Sequence, residues 1–171
     1  PYDCGEALAR RMQERFAMPF LAGHVPIGFR ESAAWLEEIA RFFQIDAGNY
    51  LAREINNGLD LFTSLLVSNT FFESSVAIST DNCDSYSVGL SSFLQRELGM
   101  QVSFAAVSTE KAAEKVAGAA GRVLLNASIE EKKELLLETS PTVILGNYYD
   151  LKLSTDLGFK NFLFADIPLI G

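Results

Sequence analysis

The chain has 171 residues, carries a formal net charge of −8 at pH 7, and is 49% hydrophobic and 21% charged. This length suffices for one domain with a proper core, or for a domain with a helical extension, and the ordinary composition excludes a disordered chain. The 14 Lys and Arg residues are scattered, which disfavours a nucleic-acid partner, because phosphate neutralisation needs a basic patch. The acidic balance fits a soluble cytoplasmic protein.

The ends of the chain predict a piece of a longer polypeptide. It begins Pro-Tyr-Asp-Cys without an initiating Met, and it ends just after a predicted strand. No signal segment opens it, and no apolar span reaches the roughly 18 residues that a membrane helix needs. Two cysteines, Cys4 and Cys83, are too few for a disulfide framework, and we expect reduced thiols.

Residues 1–72 predict a helical connecting region with one short strand. Its helices are recognised by apolar residues that recur every three or four positions, its loop by Gly and Pro, and one helix start by a residue suited to capping. In chain order these elements are a helix over 5–17, a strand over 18–22, a loop over 23–28, a helix that Ser32 caps, and a helix over 48–69.

Residues 73–171 repeat one unit, in which a short apolar run is followed by a polar loop and a helix-patterned segment. The predicted strands are 75–80, 101–107, 122–126, 142–146 and 161–165, and the predicted helices between them are 85–98, 110–119, 128–139 and 149–157. Continuous apolar strands joined by helices predict a parallel sheet covered on both faces. With right-handed crossovers, this is a three-layer α/β domain with an open sheet of about five strands.

Two polar loops follow the first and fourth predicted strands, at the edge where parallel sheets bind ligands. The first loop reads Thr80-Asp81-Asn82-Cys83 and the second reads Gly146-Asn147-Tyr148. In the usual strand order 3-2-1-4-5 these strands flank the topological switch point, so both loops should face one crevice. No Gly-x-Gly-x-x-Gly or P-loop pattern is present, which disfavours a dinucleotide ligand.

Several single residues allow both a functional and a structural interpretation. Cys83 stands beside a helix start whose dipole favours its thiolate, so it is either a reactive or metal-binding thiol or, more commonly, an ordinary loop cysteine. Asp81 and Asp84 are more often helix caps than catalysts. His24 is most simply a loop residue. Cys4 alone cannot hold zinc or a cluster, which need several ligands, but it can supply one ligand to a shared site.

Four segments occur in the order of one known family and together cover nearly the whole chain. They are ALARRMQERFAMPFL, PIGFRESAAWLEEIARFF, SVAISTDNCDSYSVGLSSFLQRELGMQVSFAAVST and VLLNASIEEKKELLLETSPTVILGNYYDLKLSTDLGF. This series resembles the nitrogenase component 1-type oxidoreductases, which include nitrogenase molybdenum–iron subunits, cofactor-assembly scaffolds and dark-operative protochlorophyllide reductase. The resemblance implies one Rossmann-like domain, preceded by a helical extension, out of the three such domains in a subunit.

The resemblance also implies a function. A subunit of this family pairs with a homologous subunit in a heteromer and takes electrons from an ATP-dependent iron–sulfur reductase. An iron–sulfur or molybdenum–iron-type cluster of the full-length complex passes those electrons to the substrate. The two polar loops would face the cofactor or substrate cavity, and the Gly-Asn form of the second loop looks more like the β-type partner.

In an α-type subunit of the family, a cofactor-ligating Cys stands just before the helix that Cys4 precedes here, although Cys4 sits a few residues closer to Met18-Pro19 than the family pattern requires. The Cys residues of the bridging cluster would lie upstream. The isolated chain is therefore expected to hold no cofactor and to be inactive. The alternatives are a non-catalytic cofactor-assembly scaffold and a small-molecule-binding α/β domain of the same fold.

Overall fold

The structure is a computed structural model that describes residues 4–21, 25–67, 71, 73–80 and 83–165. Its apolar runs form one sheet, whose strands are β1 Ser75–Ser79, β2 Gln101–Val107, β3 Ala120–Leu125, β4 Val143–Gly146 and β5 Phe162–Phe164. Every neighbouring pair is parallel, and the order is β3-β2-β1-β4-β5. This confirms the predicted α/β fold with an open, five-stranded parallel sheet.

Seven helices surround or precede the sheet in the described part of the chain. The helical extension comprises α1 Cys4–Phe16, α2 Gly28–Phe42 and α3 Gly48–Val67, and the connecting helices are α4 Asp84–Arg96, α5 Glu110–Val116, α6 Ile129–Thr139 and α7 Tyr148–Asp156. The predicted helices and strands of the sheet domain are confirmed, and their ends differ from the predicted ones by a few residues at most. None of the described helices is both long and apolar enough to cross a membrane.

The core lies on both faces of the sheet, because side chains alternate along each strand. On one face α4 and α5 cover Val76 and Ile78. On the other face α6 and α7 cover Phe104 and Ile144. Leu136 of α6 is buried in the same cluster. This two-sided burial explains why the strands read as continuous apolar runs rather than as alternating ones.

Local signals place the connecting helices. Ser128 begins α6 through the predicted capping box, in which its hydroxyl accepts the Glu131 N–H at 3.2 Å and the Glu131 carboxylate accepts the Ser128 N–H at 2.8 Å. The hydrogen bond from the Ser128 backbone, and to a smaller extent the one from its side chain, lowers the pKa of Glu131 below its usual value. Gly99 follows α4 at φ +69°, a left-handed conformation that glycine adopts without strain.

Two predictions for the extension are wrong. Residues 18–21 are the described part of the predicted strand over 18–22, and they form no strand. They pair with neither edge of the sheet, and an extended segment without a neighbouring strand gains no inter-strand hydrogen bonds. Ser32 does not cap α2, which begins at Gly28 with Ile27 as its N-cap residue. Instead, the Glu97 carboxylate accepts two N–H groups of the first turn of this helix, those of Phe29 and Arg30.

The extension docks on α4 through aromatic packing. The Phe29 ring meets the Phe62 ring of α3 edge-on, with centroids 5.0 Å apart, and Phe62 meets Phe93 of α4 at 6.1 Å. Phe29 also lies against Gly58, where it leaves no room for a Cβ. Gly58 weakens α3 by about 1 kcal/mol relative to alanine, and the close approach of Phe29 is the reason that glycine stands there.

Candidate functional site

The two polar loops meet at adjacent strand ends. β1 and β4 are neighbours in register, with Ser79 opposite Gly146. The chain after β1 leaves for α4 on one face of the sheet, whereas the chain after β4 leaves for α7 on the other face. The two strand ends therefore flank the topological switch point, which is where open parallel sheets bind ligands in a crevice.

In the first loop, the described residues Thr80 and Cys83 are buried. Thr80 is 1% exposed, and its hydroxyl is hydrogen-bonded to the Ser87 hydroxyl of α4. Ser87 in turn donates to the carbonyl of Ala106 on β2 at 3.1 Å. Thr80 thus ties α4 to the sheet, while Asp81 and Asn82 lie outside the described residues.

Cys83 occupies the N-cap position of α4, as its place beside a helix start predicted. It is buried, and its carbonyl accepts the N–H of Tyr86 at 3.0 Å. The next residue, Asp84, accepts the Ser108 N–H at 2.7 Å and the Thr109 hydroxyl at 2.5 Å. Thr109 is itself the N-cap of α5, so the Asp84 side chain does not cap its own helix but supports the cap of the next one.

The second loop is built around Asn147, the N-cap of α7. Its side-chain oxygen accepts the N–H groups of Tyr149 at 2.7 Å and Asp150 at 3.2 Å, and the Asp150 carboxylate accepts the Asn147 N–H at 3.1 Å. Gly146 makes this possible, because a Cβ there would lie 2.7 Å from the Asp150 Cβ. This reciprocal box uses Asn and Asp in place of the usual Ser or Thr with Glu, and sequence analysis missed it.

Tyr148 and Tyr149 stand in the first turn of α7 with their side chains toward solvent. Their exposed fractions are 68% and 76%, and their ring centroids are 6.2 Å apart. Two large aromatic side chains left open at a strand-end crevice can pack against a ligand or a neighbouring surface. Among the described residues predicted for this site, Tyr148 has the most exposed side chain.

A buried ion pair lies beneath the second loop. The Lys132 ammonium of α6 donates to Asp150 at 3.2 Å, and the side chains are 5% and 6% exposed. Sequence analysis did not single out either residue. The available signal was the placement of Lys132 in the apolar stripe that continues through Leu135 and Leu136, where a charged residue needs a buried partner.

The described residues do not supply a ligand set for a metallocluster. No three of their His, Cys, Asp and Glu side chains are grouped to hold a metal ion, and a cluster takes several thiolates. Cys4 is the first residue of α1, but its side chain, like all of His24, falls outside the described part. The described residues of the two loops therefore do not by themselves form a metal site.

The fold is that of a Rossmann-like α/β protein with a helical extension. The family model for nitrogenase component 1 type oxidoreductases matches residues 2–170, so the chain belongs to that family. A solved structure of nitrogenase Cp1 at pH 6.5 is similar in fold, with a TM-score of 0.75 and 13% sequence identity over 91% of this chain. The chain spans 35% of the length of that structure's chain.

Proposed function

We propose that this chain is part of a nitrogenase component 1-like oxidoreductase subunit, in which the crevice at the ends of β1 and β4 helps to enclose a metallocluster or a tetrapyrrole or substrate cavity. The observation that carries this proposal is the register of β1 and β4, which puts Ser79 opposite Gly146 and so brings the two polar loops side by side. Membership of the family supports it.

In this proposal the chain lines the cavity and holds its shape. Asn147 and Asp150 fix the backbone of the second loop, and Tyr148 and Tyr149 present aromatic surface that excludes water from one wall. The cluster, when bound, would supply the electron transfer, with most of its ligands coming from parts of the protein other than this crevice.

The partners in this proposal are a homologous subunit, with which the protein forms a heteromer, and an ATP-dependent iron–sulfur reductase. A cytoplasmic location agrees with this chemistry, because the cytoplasm keeps thiols reduced. Thiolate ligands of a cluster require that state.

The direct test is to purify the full-length protein anaerobically with its partner subunit. We expect stoichiometric iron, iron–sulfur absorption, and substrate turnover that depends on both the reductase and ATP. A preparation without iron would overturn the proposal. Iron and ligand binding without reductase-dependent turnover would instead identify a cofactor-assembly scaffold or a binding domain of the same fold.

Tyr148→Ala tests whether the crevice takes part. We expect reductase-driven turnover to fall about tenfold, the loss that follows when an aromatic contact worth roughly 1.4 kcal/mol is removed. Iron content should not change, because Tyr148 is 68% exposed and supports no packing in the described core. The matched control is Tyr50→Ala on α3, another exposed tyrosine, which should leave turnover unchanged. Equal turnover in both variants would remove the crevice from the proposed site.

A further inference from the structure

We propose that Lys132 is a positioning residue for the second crevice loop, acting through Asp150. The proposal relies on the proposed function only in taking the crevice as the site. Lys132 belongs to α6, which follows β3, whereas the loop follows β4. The loop would therefore be held in place from a different crossover of the sheet.

A continuous chain of hydrogen bonds joins Lys132 to the loop. The Lys132 ammonium donates to Oδ1 of Asp150 at 3.2 Å, and Oδ2 of the same carboxylate accepts the Asn147 N–H at 3.1 Å. The Asn147 side chain then accepts the N–H of Tyr149 at 2.7 Å. Asp150 thus has one oxygen on the ammonium and the other on the loop backbone, and moving the ammonium must disturb the loop.

Burial makes this geometry hard to explain by stability alone. Lys132 and Asp150 are almost fully enclosed, and a buried ion pair is often no more stabilising than apolar side chains of similar volume. An apolar residue at position 132 would extend the buried stripe of Leu135 and Leu136. What the ion pair adds is a defined position for the carboxylate, because one of its oxygens accepts from the ammonium while the other accepts the Asn147 N–H.

The strand end is shaped to receive this carboxylate. A Cβ at Gly146 would lie 2.7 Å from the Cβ of Asp150 and 2.9 Å from its Oδ2. The last residue of β4 is therefore in direct contact with the side chain that Lys132 holds. Since Ser79 of β1 lies opposite Gly146, the network ends at the switch point itself.

Local opening of the loop and loss of overall stability are two different effects that removal of the ion pair could have. If the ion pair positions the loop, its loss should open the first turn of α7 while the sheet remains protected. If Lys132 only stabilises the fold, its loss should accelerate exchange at 75–79, which opens with the whole protein, at least as much as exchange at 147–151. Local and global opening are distinguished by amide hydrogen exchange, which reports the free energy of each opening separately.

The experiment compares Lys132→Met with Lys133→Met in the full-length protein, by hydrogen exchange with mass spectrometry. Lys133 is its exposed neighbour on the same helix, so it controls for the loss of a charge. We expect Lys132→Met to accelerate exchange in peptides covering 147–151 about tenfold relative to peptides covering 75–79. Lys133→Met should change neither. Uniform acceleration over both sets of peptides would overturn the proposal.

Two further variants keep the test decisive if Lys132→Met folds poorly. Asp150→Asn should open the same peptides, and the neutral pair K132M/D150N should open them no further than Asp150→Asn alone, because both substitutions break one chain of bonds. Additive effects would overturn the proposal. Iron content and reductase-dependent turnover play no part in this readout, so failure of the proposed function and failure of the positioning role give different results.

Discussion

Ser87 and Ser91 lie one turn apart on the side of α4 that faces the sheet, and both are fully buried. Their hydroxyls differ in what they contact. Ser87 is bonded to the Thr80 hydroxyl and to the Ala106 carbonyl, whereas the Ser91 hydroxyl has no hydrogen-bond partner in the described structure. A buried hydroxyl without a partner destabilises the folded state, because it has lost its hydrogen bonds to water and gained none in the protein.

Replacing each serine with alanine should therefore have opposite effects. We expect Ser91→Ala to raise the free energy of unfolding by about 0.5–1 kcal/mol, since it removes an unpaired hydroxyl and improves helix propensity. Ser87→Ala should lower it by about 1–2 kcal/mol, because Thr80 and Ala106 lose a partner. Urea unfolding monitored by circular dichroism measures both. A larger loss for Ser91→Ala than for Ser87→Ala would contradict this account.

At the scale of elements, the side chain that caps α2 comes from the residue that follows α4. The Glu97 carboxylate, just past the end of α4, accepts the N–H groups of Phe29 at 2.8 Å and Arg30 at 3.1 Å. A carboxylate there also complements the positive end of the helix dipole. Gly28 makes the approach possible, because it adopts φ +86° and a Cβ would lie 2.5 Å from the Glu97 Oε1.

Glu97→Gln should weaken this junction, since an amide offers only one acceptor oxygen and no charge. We expect the free energy of unfolding to fall by about 1 kcal/mol, with faster amide exchange at Phe29 and Arg30. The matched control is Glu114→Gln, an exposed residue of α5, which should be neutral. If the two variants are equally stable, the carboxylate does not fasten α2 to α4.

Across the whole molecule, burial is concentrated in the sheet. From Val76 to Ser79 every residue of β1 is buried, whereas every side chain described in α1 is half-buried or exposed. We therefore expect the amides of 75–79 to exchange only on global unfolding and those of 5–16 to exchange far earlier, because local stability follows apolar burial. Native-state hydrogen exchange measures the order. Protection of α1 equal to that of β1 would contradict it.

Much of the fold could be predicted because its signals are local. Apolar runs such as 101–107 and the Ser128 capping box lie within a few neighbouring residues, and the handedness of the crossovers then restricts the strand order. The predicted strand over 18–22 failed where it is described, because an apolar run becomes a strand only beside a partner. The location of the candidate site followed from the usual strand order. The hydrogen bond of Thr80 to Ser87 and the role of Asn147 as the N-cap of α7 did not.

By itself, the sequence determined the α/β class and the positions of the two polar loops after the first and fourth strands, since both depend on periodicity and turn residues that neighbours along the chain supply. The strand order was expected only as the usual one for such a domain. Only the tertiary structure decided that Glu97 caps α2 across 68 positions and that Lys132 holds Asp150 across 18. In both cases packing decides which groups a charged side chain contacts, backbone N–H groups for Glu97 and a carboxylate for Lys132. No local pattern encodes that choice, because the buried geometry that makes each contact favourable exists only once the helices have docked on the sheet.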